Sequence, residues 1–278
     1  MICPIKRHGG KNAFNGALAK WIISLMQPHR TYCEPYFGGG SVLLHKDPVN
    51  TSEVINDIDG LLMMFWHVLQ KPDLFERLHR RLALTPFSEA EFDLACGILL
   101  SQRVGAELGE TPTDIAWAFF VVARQSMSGR EKSFAPITTG RLRRGMNEQV
   151  SAWLSAVEGL PLVHERMMRV LVKDGEALDL IDEVDSPETL FYLDPPYLDE
   201  TRTATEVYRY EVTREHHEML LAKLAHIKGK FILSGYRSTL YDNHASFRKW
   251  NRHEYSIVNN ASKADKKATM IECCWTNY

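Results

Sequence analysis

The sequence predicts an α/β fold in which a mostly parallel, doubly wound sheet carries a mainly helical insertion. Short strand and helix patterns alternate in residues 1–70 and again from residue 166 onward. Between them, apolar side chains recur at helical spacing, and no convincing strand occurs before a polar loop at 125–147. We therefore expect one sheet domain formed by residues 1–70 and 166–278, and an inserted domain formed by residues 71–165.

The strands and helices of the first zone are short and follow one another closely. Thr31–Pro35 has the pattern of a strand, and a glycine turn connects it to a helix at Ser41–His45. Ser52–Ile55 predicts a second strand, and Leu61–Leu69 predicts a strongly apolar helix. This order is typical of parallel strands that are connected by helices.

The alternation resumes after the insertion and ends in two β-rich segments. The predicted elements are strand 168–172, helix 175–183, strand 189–193, helix 214–226, strand 230–234 and strands near 250–258 and 269–276. Because only a polar stretch separates the last two, we expect a hairpin that contributes an antiparallel C-terminal strand.

Charge and cysteine content limit the possible partners. The formal net charge is −2, so any binding to nucleic acid must come from local basic patches. The five cysteines lack Cys-x-x-Cys spacing, which favours buried thiols over disulfides or a zinc site.

His216-His217-Glu218 has no third histidine at zinc-protease spacing and is expected on a helix surface. With no leader and no apolar stretch that could span a bilayer, we expect a cytoplasmic protein that binds neither membrane nor metal.

The most informative motif is Asp194-Pro195-Pro196-Tyr197, which follows the apolar run 189–193. The carboxyl end of a parallel strand is where open α/β sheets bind ligands. The Asp194 carboxylate and an outward carbonyl of the rigid Pro-Pro backbone are suited to accept hydrogen bonds from the amino group of a planar base. Tyr197 offers a ring face for stacking. The alternative is a proline turn with an incidental aspartate.

A glycine-rich turn indicates a cofactor site. The segment from Glu34 to Ser41 contains three consecutive glycines where the first strand turns into a helix, so the backbone can approach a ligand closely. Asp57 ends the next strand and is placed to accept hydrogen bonds from ribose hydroxyls, although a turn or cap aspartate is equally compatible. The turn lacks Gly-x-Gly-x-x-Gly and Gly-Lys-Ser/Thr, which favours a nucleoside cofactor without a pyrophosphate.

With these motifs in this order, the chain resembles the D12 (Dam-like, alpha-class) DNA adenine-N6 methyltransferases. The resemblance also covers Lys6-Arg7-His8-Gly9-Gly10-Lys11, which falls on the N-terminal motif of the family. It implies a methyltransferase-type doubly wound sheet, S-adenosylmethionine (AdoMet) as the cofactor and double-stranded DNA as the partner.

The resemblance implies two sets of site residues. The catalytic candidates are Asp194, Pro195 and Tyr197. The cofactor-binding candidates are Arg7, Lys11, Glu34, Tyr36, Gly38, Gly40, Asp57, Asp174 and Asp194. The family usually has Trp at the position of Arg7 and Phe at that of Tyr36. A helix N-cap is the alternative role for Asp174.

A basic segment predicts the DNA contact. Residues 124–144 contain six basic side chains against one acidic, a net charge of +5 in 21 residues. The resemblance places a recognition hairpin here, gives Met127 the position of an intercalating side chain, and makes Lys6 a second base reader. The DNA-binding candidates are Lys6, Arg124, Met127, Ser128, Arg130, Lys132, Arg141, Arg143 and Arg144.

The resemblance therefore predicts a site-specific enzyme that transfers a methyl group from AdoMet to N6 of an adenine flipped out of the duplex. Cytosine-N4 methyltransferases act on a similar amine but typically have Ser in place of Asp194. Protein-glutamine methyltransferases usually begin the motif with Asn and need no basic segment. A non-catalytic DNA-binding protein with a relic cofactor fold is a further alternative.

Overall fold

The computed structural model describes residues 3–6, 10–11, 13–106, 109–129, 131–198, 212–258 and 269–278. The helices are α1 (Ala13–Ser24), α2 (Ser41–His45), α3 (Gly60–Gln70), α4 (Pro72–Leu84), α5 (Glu89–Arg103), α6 (Pro112–Gln125), α7 (Glu148–Glu158), α8 (Leu160–Met167), α9 (Ala177–Val184), α10 (Arg214–Leu224) and α11 (Thr239–Arg248). The strands are β1 (Thr31–Glu34), β2 (Ser52–Asp57), β3 (Leu142–Arg143), β4 (Met146–Asn147), β5 (Val170–Asp174), β6 (Thr189–Leu193), β7 (Lys230–Gly235), β8 (Asn251–Val258) and β9 (Thr269–Thr276). A mostly parallel sheet of seven strands confirms the predicted α/β class.

The chain divides into two compact units. Unit 1 comprises Met1–Gly16, Gly38–His45 and Asp59–Asp174, and unit 2 comprises Ala17–Phe37, Lys46–Ile58 and Gly175–Tyr278. Six strands of the main sheet belong to unit 2, and β5 and the small β3–β4 pair belong to unit 1. The domain boundaries that the sequence suggests near residues 70 and 165 stay a prediction.

The sheet strands of unit 2 follow the order β2-β1-β6-β7-β9-β8. β1 pairs in parallel with β2 and β6, and β6 pairs in parallel with β7. β9 runs antiparallel to both β7 and β8, which confirms the predicted antiparallel C-terminal strand. The carboxyl ends of β1, β2, β6 and β7 therefore lie at one edge of the sheet, the edge at which such sheets bind ligands.

Alternating apolar side chains form the core of unit 2. Phe191 and Leu193 of β6 are fully buried in one cluster with Phe231 and Leu233 of β7 and with Trp275 of β9. Apolar side chains of α9, α10 and α11 complete this cluster. Every residue of β6 is buried, as expected for the middle strand of a parallel sheet covered on both faces. Packing on both sides fixes the position at which β6 ends.

α6 is the most deeply buried helix of unit 1, with every residue from Ile115 to Ala123 buried. The Trp117 indole N–H donates to Thr85 Oγ1 at 2.9 Å. The Trp153 indole N–H, on α7, donates to the Thr85 carbonyl oxygen at 2.9 Å. Since Thr85 caps the end of α4, these two bonds satisfy both buried indoles and hold α6 and α7 against α4.

The polar segment 125–147 contains an antiparallel hairpin in which β3 pairs with β4, and the family resemblance places a hairpin in this segment. Arg144 and Gly145 form its two-residue turn with φ angles of 56° and 75°. Positive φ at both positions is what a type I′ turn requires, and that turn matches the twist of the flanking strands. Strands of two residues are too short to give a periodic pattern, so hydrophobic periodicity predicts only a loop here.

Candidate functional site

The Asp194-Pro195-Pro196-Tyr197 motif follows the central parallel strand of unit 2. β6 lies between β1 and β7, and Leu193 pairs with Leu233 immediately before the motif begins. Asp194 is half-buried, whereas Pro195 and Tyr197 are buried. The motif thus lies at the ligand-binding edge of the sheet, where the sequence predicted it.

Tyr197 contacts Glu272 of β9 and Tyr236, the residue that follows β7. Its hydroxyl donates to Glu272 of β9, and the Ser234 hydroxyl of β7 donates to the same carboxylate oxygen at 2.8 Å. Its ring meets that of Tyr236 edge to face, with centroids 4.7 Å apart. Burial, followed by the negative charges of Asp194 and Glu272, raises the pKa of Tyr197 well above its ordinary value. The phenol therefore stays protonated and acts as the donor.

The ends of β1 and β2 are tied together by one amide. Asn56 Nδ2 donates to the Pro35 carbonyl at 3.0 Å and to the Gly175 carbonyl at 2.9 Å. The Phe37 backbone N–H in turn donates to the Asn56 carbonyl at 2.9 Å. These bonds fix the turn after β1 beside the end of β2, where Asp57 is half-buried. No local motif indicates the linking role of Asn56, because its partners Pro35 and Gly175 are distant in the chain.

Glu34 and Tyr36, on either side of Pro35, are both engaged by other side chains. The Tyr32 hydroxyl donates to Glu34 at 2.6 Å, and Glu34 is buried. The Tyr36 hydroxyl lies 2.7 Å from Nε2 of His216, on α10, and burial lowers the pKa of His216. Burial, with Glu176 and Asp57 adding negative charge, raises the pKa of Tyr36. A neutral phenol and a neutral imidazole are therefore hydrogen-bonded beside the strand ends.

The histidines of α10 correct one sequence-based expectation. His217 does not lie on the helix surface but is fully buried, with Nδ1 2.8 Å from the Tyr241 hydroxyl. His216 is half-buried beside Tyr36, and of the three residues only Glu218 is exposed. A polar tripeptide gave no sign that the helix turns two of its members inward. In the described part of the chain no group of three His, Cys, Asp or Glu side chains has the arrangement of a metal site.

The remaining cofactor candidates belong to unit 1. Gly38 and Gly40 both have positive φ, 54° and 70°, and the Trp66 indole N–H donates to the Gly38 carbonyl at 3.2 Å. Lys11 is buried, and Asp174 is exposed at the end of β5. Arg7 lies outside the described residues. That these residues bind a cofactor stays a prediction from the motifs.

The first half of the basic segment forms a tight loop after α6. The Met127 N–H donates to the Ser133 carbonyl at 2.9 Å, and the Ala135 N–H donates to the Gln125 carbonyl at 2.9 Å. A short 3-10 turn, Met127–Gly129, contains Ser128 and forms part of the tip. Met127 is 41% exposed there, as a side chain that inserts into DNA must be. Arg130 lies outside the described residues.

The second half of the basic segment is the β3–β4 hairpin, and its arginines differ in their partners. Arg141 pairs with Glu148 at 3.3 Å, and Arg144 pairs with Glu158 at 2.9 Å. Arg143 is exposed and has no carboxylate partner among the residues that the structure describes. Lys132 is exposed as well. Exposed cations such as these are available to phosphates at little desolvation cost.

Arg124 is placed differently from the other basic candidates. It is half-buried, and its guanidinium donates to the Ala152 carbonyl of α7 at 2.9 Å. Burial lowers its pKa to about 10. Arg124 thus ties α6 to α7, whereas contact with DNA stays a prediction for it.

Within unit 1, Lys6 lies against the loop that follows α6, although more than 100 residues separate the two in the sequence. Gly129 has φ of +67°, and a Cβ atom on it would lie 2.6 Å from the Lys6 carbonyl oxygen. Lys6 is exposed, yet partial desolvation, and then Arg124 and Arg143 against the opposing effect of Glu148, lower its pKa. Like charges gathered at one surface attract an anion such as a phosphate.

A mostly parallel sheet with one reversed C-terminal strand and Asp-Pro-Pro-Tyr at a central strand end defines an α/β methyltransferase. The family model of the D12 class N6 adenine-specific DNA methyltransferases matches residues 8–93 and 160–265, more than half of the chain. The chain belongs to this family, and it is an enzyme that methylates N6 of adenine in DNA. Residues 94–159, which include the basic segment, lie between the two matched segments.

Among solved structures, the chain is similar to a domain described as a putative precorrin-6Y C5,15-methyltransferase from Corynebacterium diphtheriae. It is 10% identical over 95% of this chain and 97% of that chain, with a TM-score of 0.36. A likeness at that TM-score does not bear on function. No curated protein matches the sequence significantly. No helix in the described ranges is long and apolar enough to cross a membrane.

Proposed function

We propose that the enzyme transfers a methyl group from AdoMet to N6 of an adenine that is rotated out of double-stranded DNA. The observation that carries this proposal is the position of Asp194-Pro195-Pro196-Tyr197 at the end of the fully buried strand β6, with Tyr197 fixed by Glu272. An amino group held there would meet a carboxylate and a carbonyl on one side and an aromatic ring on another.

Rotation of the base follows from access. The N6 amino group of a stacked, paired adenine cannot reach a site at the edge of a sheet, so the base must leave the duplex. The cost of unstacking is then offset by contacts that the extruded base makes with the enzyme. We assign the stacking contact to the Tyr197 ring and the wedge in the duplex to Met127.

The proposed catalytic role of Asp194 is to stabilise positive charge. The N6 amine is a weak nucleophile because its lone pair is delocalised into the purine ring. Hydrogen bonds from N6 to the Asp194 carboxylate and the Pro195 carbonyl favour a pyramidal nitrogen, and both interactions strengthen as N6 becomes positive. N6 would gain the methyl carbon as the carbon–sulfur bond of the donor breaks and its sulfonium leaves as a neutral thioether. N6 would then lose one proton to the Asp194 carboxylate and through it to water, which restores the neutral amine.

AdoMet, when bound, supplies a methyl group activated by a sulfonium. The chemistry of the residues at the strand ends of unit 2 fits such a ligand. Asp57 is a half-buried carboxylate that suits ribose hydroxyls, and Glu34 is a buried carboxylate that suits a cationic amine. Tyr36 adds an aromatic wall that His216 holds in place. Arg7, Lys11, Gly38, Gly40 and Asp174 complete the proposed cofactor set from the motifs.

The proposed DNA-contacting residues are those of the basic segment together with Lys6. Most of these arginines contact phosphates in the proposed complex, and one or two arginines bind the edges of guanine bases. The support is the exposure of Lys132, Arg141, Arg143 and Arg144 and the lowered pKa of Lys6. A cytoplasmic location stays part of the proposal, because the enzyme must meet DNA to act on it.

The decisive test is incubation of the enzyme with AdoMet and unmethylated genomic DNA, followed by nucleoside mass spectrometry and single-molecule sequencing. We expect N6-methyladenine within one short sequence motif. N4-methylcytosine instead would reassign the base, and unmodified DNA together with no AdoMet binding by calorimetry would support a non-catalytic protein. Omission of AdoMet is the control for methyl groups already on the DNA.

A further inference from the structure

We propose that Glu272 is a positioning residue for methyl transfer, which acts by holding the Tyr197 hydroxyl and so fixing the ring on which the extruded base stacks. This inference rests on the proposed function. Glu272 lies on β9, 75 residues beyond Tyr197 in the sequence, and belongs to none of the motifs discussed above.

Glu272 is almost inaccessible to solvent and accepts hydrogen bonds from the hydroxyls of Tyr197 and Ser234. It is 3% exposed, and the hydroxyls of Tyr197 and Ser234 donate to the same carboxylate oxygen. Ser234 is fully buried on β7, directly opposite Cys274 of β9. Because β9 runs antiparallel to β7, its first half reaches the edge at which β6 and β7 end. The carboxylate is therefore built into the rigid sheet, and the motif that follows β6 is attached to it.

Burying a carboxylate costs more free energy than burying a neutral acceptor for the hydroxyls of Tyr197 and Ser234. Removing a charge from water is costly unless good hydrogen bonds compensate, and a neutral acceptor would suffice for a purely structural contact. At this site the charge can contribute to the reaction. Glu272 and Asp194 both raise the pKa of Tyr197, so both carboxylates are close enough to that ring to act on it electrostatically. Negative charge there favours the positive charge that develops on N6.

Tyr236 restricts the other degree of freedom of the ring. Its edge-to-face contact with Tyr197, at 4.7 Å between centroids, limits rotation of the ring about its long axis. The bond to Glu272 fixes the far end of the same axis. With both constraints the stacking face is set before a base arrives, and an orientation that is set in advance speeds transfer without requiring tighter DNA binding.

The test is a double-mutant cycle with Tyr197→Phe, Glu272→Gln and the double variant. Tyr278→Phe is the matched control, because it removes a hydroxyl bonded at 2.9 Å to the Leu25 carbonyl in the same unit. Each single variant should lower the single-turnover methylation rate roughly 10-fold, the scale of one charged hydrogen bond, with the KM for DNA unchanged. The double variant should be no slower than the slower single variant, because both remove one interaction.

Losses that multiply in the double variant, or wild-type turnover in Tyr197→Phe, would overturn the proposal. Urea unfolding of all four proteins serves as an independent measurement. A coupling between the two positions in unfolding, with no effect on rate, would reduce Glu272 to a structural role and also overturn it. If Glu272→Gln does not fold, Tyr197→Phe alone tests the proposal. A lower methylation rate with an unchanged KM for DNA would support it, and a wild-type rate would overturn it.

The unfolding cycle needs neither DNA nor AdoMet, so it separates two kinds of failure. A wild-type enzyme that methylates no DNA would contradict the proposed function, while the cycle would still report on the bond between Tyr197 and Glu272. Normal methylation of DNA by the wild type and by every variant would leave the proposed function intact and contradict only the role of Glu272.

Discussion

At the strand ends of unit 2, Tyr197 and Glu272 are almost inaccessible to solvent, and each is hydrogen-bonded to a side chain from another strand. In the basic segment of unit 1, Arg141, Arg143 and Arg144 are exposed before, on and after the two-residue strand β3. The first region fixes its groups before any ligand arrives. The basic segment presents exposed arginine side chains, whose conformations a bound ligand would fix.

The two arrangements suit two kinds of work. Stabilising charge at a reacting atom depends on acceptors that need no reorganisation, which burial in a sheet provides. Holding a polyanion depends on accessible cations, whose strength falls with salt and whose individual contributions are small. We therefore expect substitutions at the strand ends to reduce the rate of transfer, and substitutions in the basic segment to reduce DNA affinity.

Asp194→Ala should have the largest effect. Loss of the acceptor that meets the reacting amine should slow methyl transfer by roughly 100- to 1,000-fold or more, with DNA binding and folding largely preserved. Single-turnover incorporation of a labelled methyl group measures the rate. Asp182→Ala, which removes only an exposed ion pair with Lys223, is the control and should retain full activity. Near-normal turnover of the Asp194 variant would refute the catalytic assignment.

Gly129→Ala tests the close approach of Lys6 to the loop after α6. Gly129 and Gly140 both have positive φ, but a Cβ on Gly140 meets nothing within 4 Å. Both substitutions should cost about 1–2 kcal/mol of backbone strain, and Gly129→Ala should add about 1–3 kcal/mol from the clash with the Lys6 backbone. Urea unfolding and fluorescence anisotropy with duplex DNA measure stability and affinity. Equal effects of the two variants would show that Lys6 and the loop are not held together.

Arg143→Ala should change the salt dependence of DNA binding. If Arg143 contacts one phosphate, its loss should reduce the slope of log K against log salt by about 0.9. Arg144→Ala should have a smaller effect, because Arg144 must first leave Glu158. The exposed Arg80 of α4 provides the control substitution, which should leave the slope unchanged. Methylation rates at saturating DNA should stay normal, and a slowed rate would contradict the contrast between the regions.

Met127→Ala should have the smallest effect. If Met127 fills the space left by the extruded base, its truncation should lower the flipped fraction by about fivefold at most, since a wedge offsets only part of the unstacking cost. The fluorescence of 2-aminopurine at the target position measures base extrusion. Met127→Leu should restore most of the signal, and Met219→Ala, at an exposed position of α10, should not alter it.

The sequence predicted the strand-end motif because local patterns encode it. β6 is an unbroken apolar run, Asp194-Pro195-Pro196-Tyr197 follows it directly, and Asp57 ends the adjacent pattern. The sequence could not predict Glu272, because its role depends on the register that brings β9 beside β7. The roles of Ser234 and Asn56 are likewise not predictable from local patterns, because each side chain bonds to groups distant in the chain.

The charge pattern predicts a basic segment, but it does not predict which of its side chains turn towards solvent and which turn inward. Arg124 was grouped with the exposed arginines, yet its guanidinium turns inward to the Ala152 carbonyl. His217 was expected on a helix surface and is buried against Tyr241. Periodicity predicts only a loop where the β3–β4 hairpin lies, and the family resemblance alone indicates a hairpin there. A charge or a polar tripeptide does not reveal which face of a helix meets the core, and a two-residue strand has no period.

The sequence by itself determined the α/β class, the antiparallel C-terminal strand and the family, because hydrophobic periods and short motifs are local properties of the chain. Only the tertiary structure decided that Glu272 holds Tyr197, that His216 bonds to Tyr36 and that Lys6 lies against Gly129. Those contacts depend on strand register and on close backbone approach. Such features arise when distant segments pack together, and no local pattern specifies them.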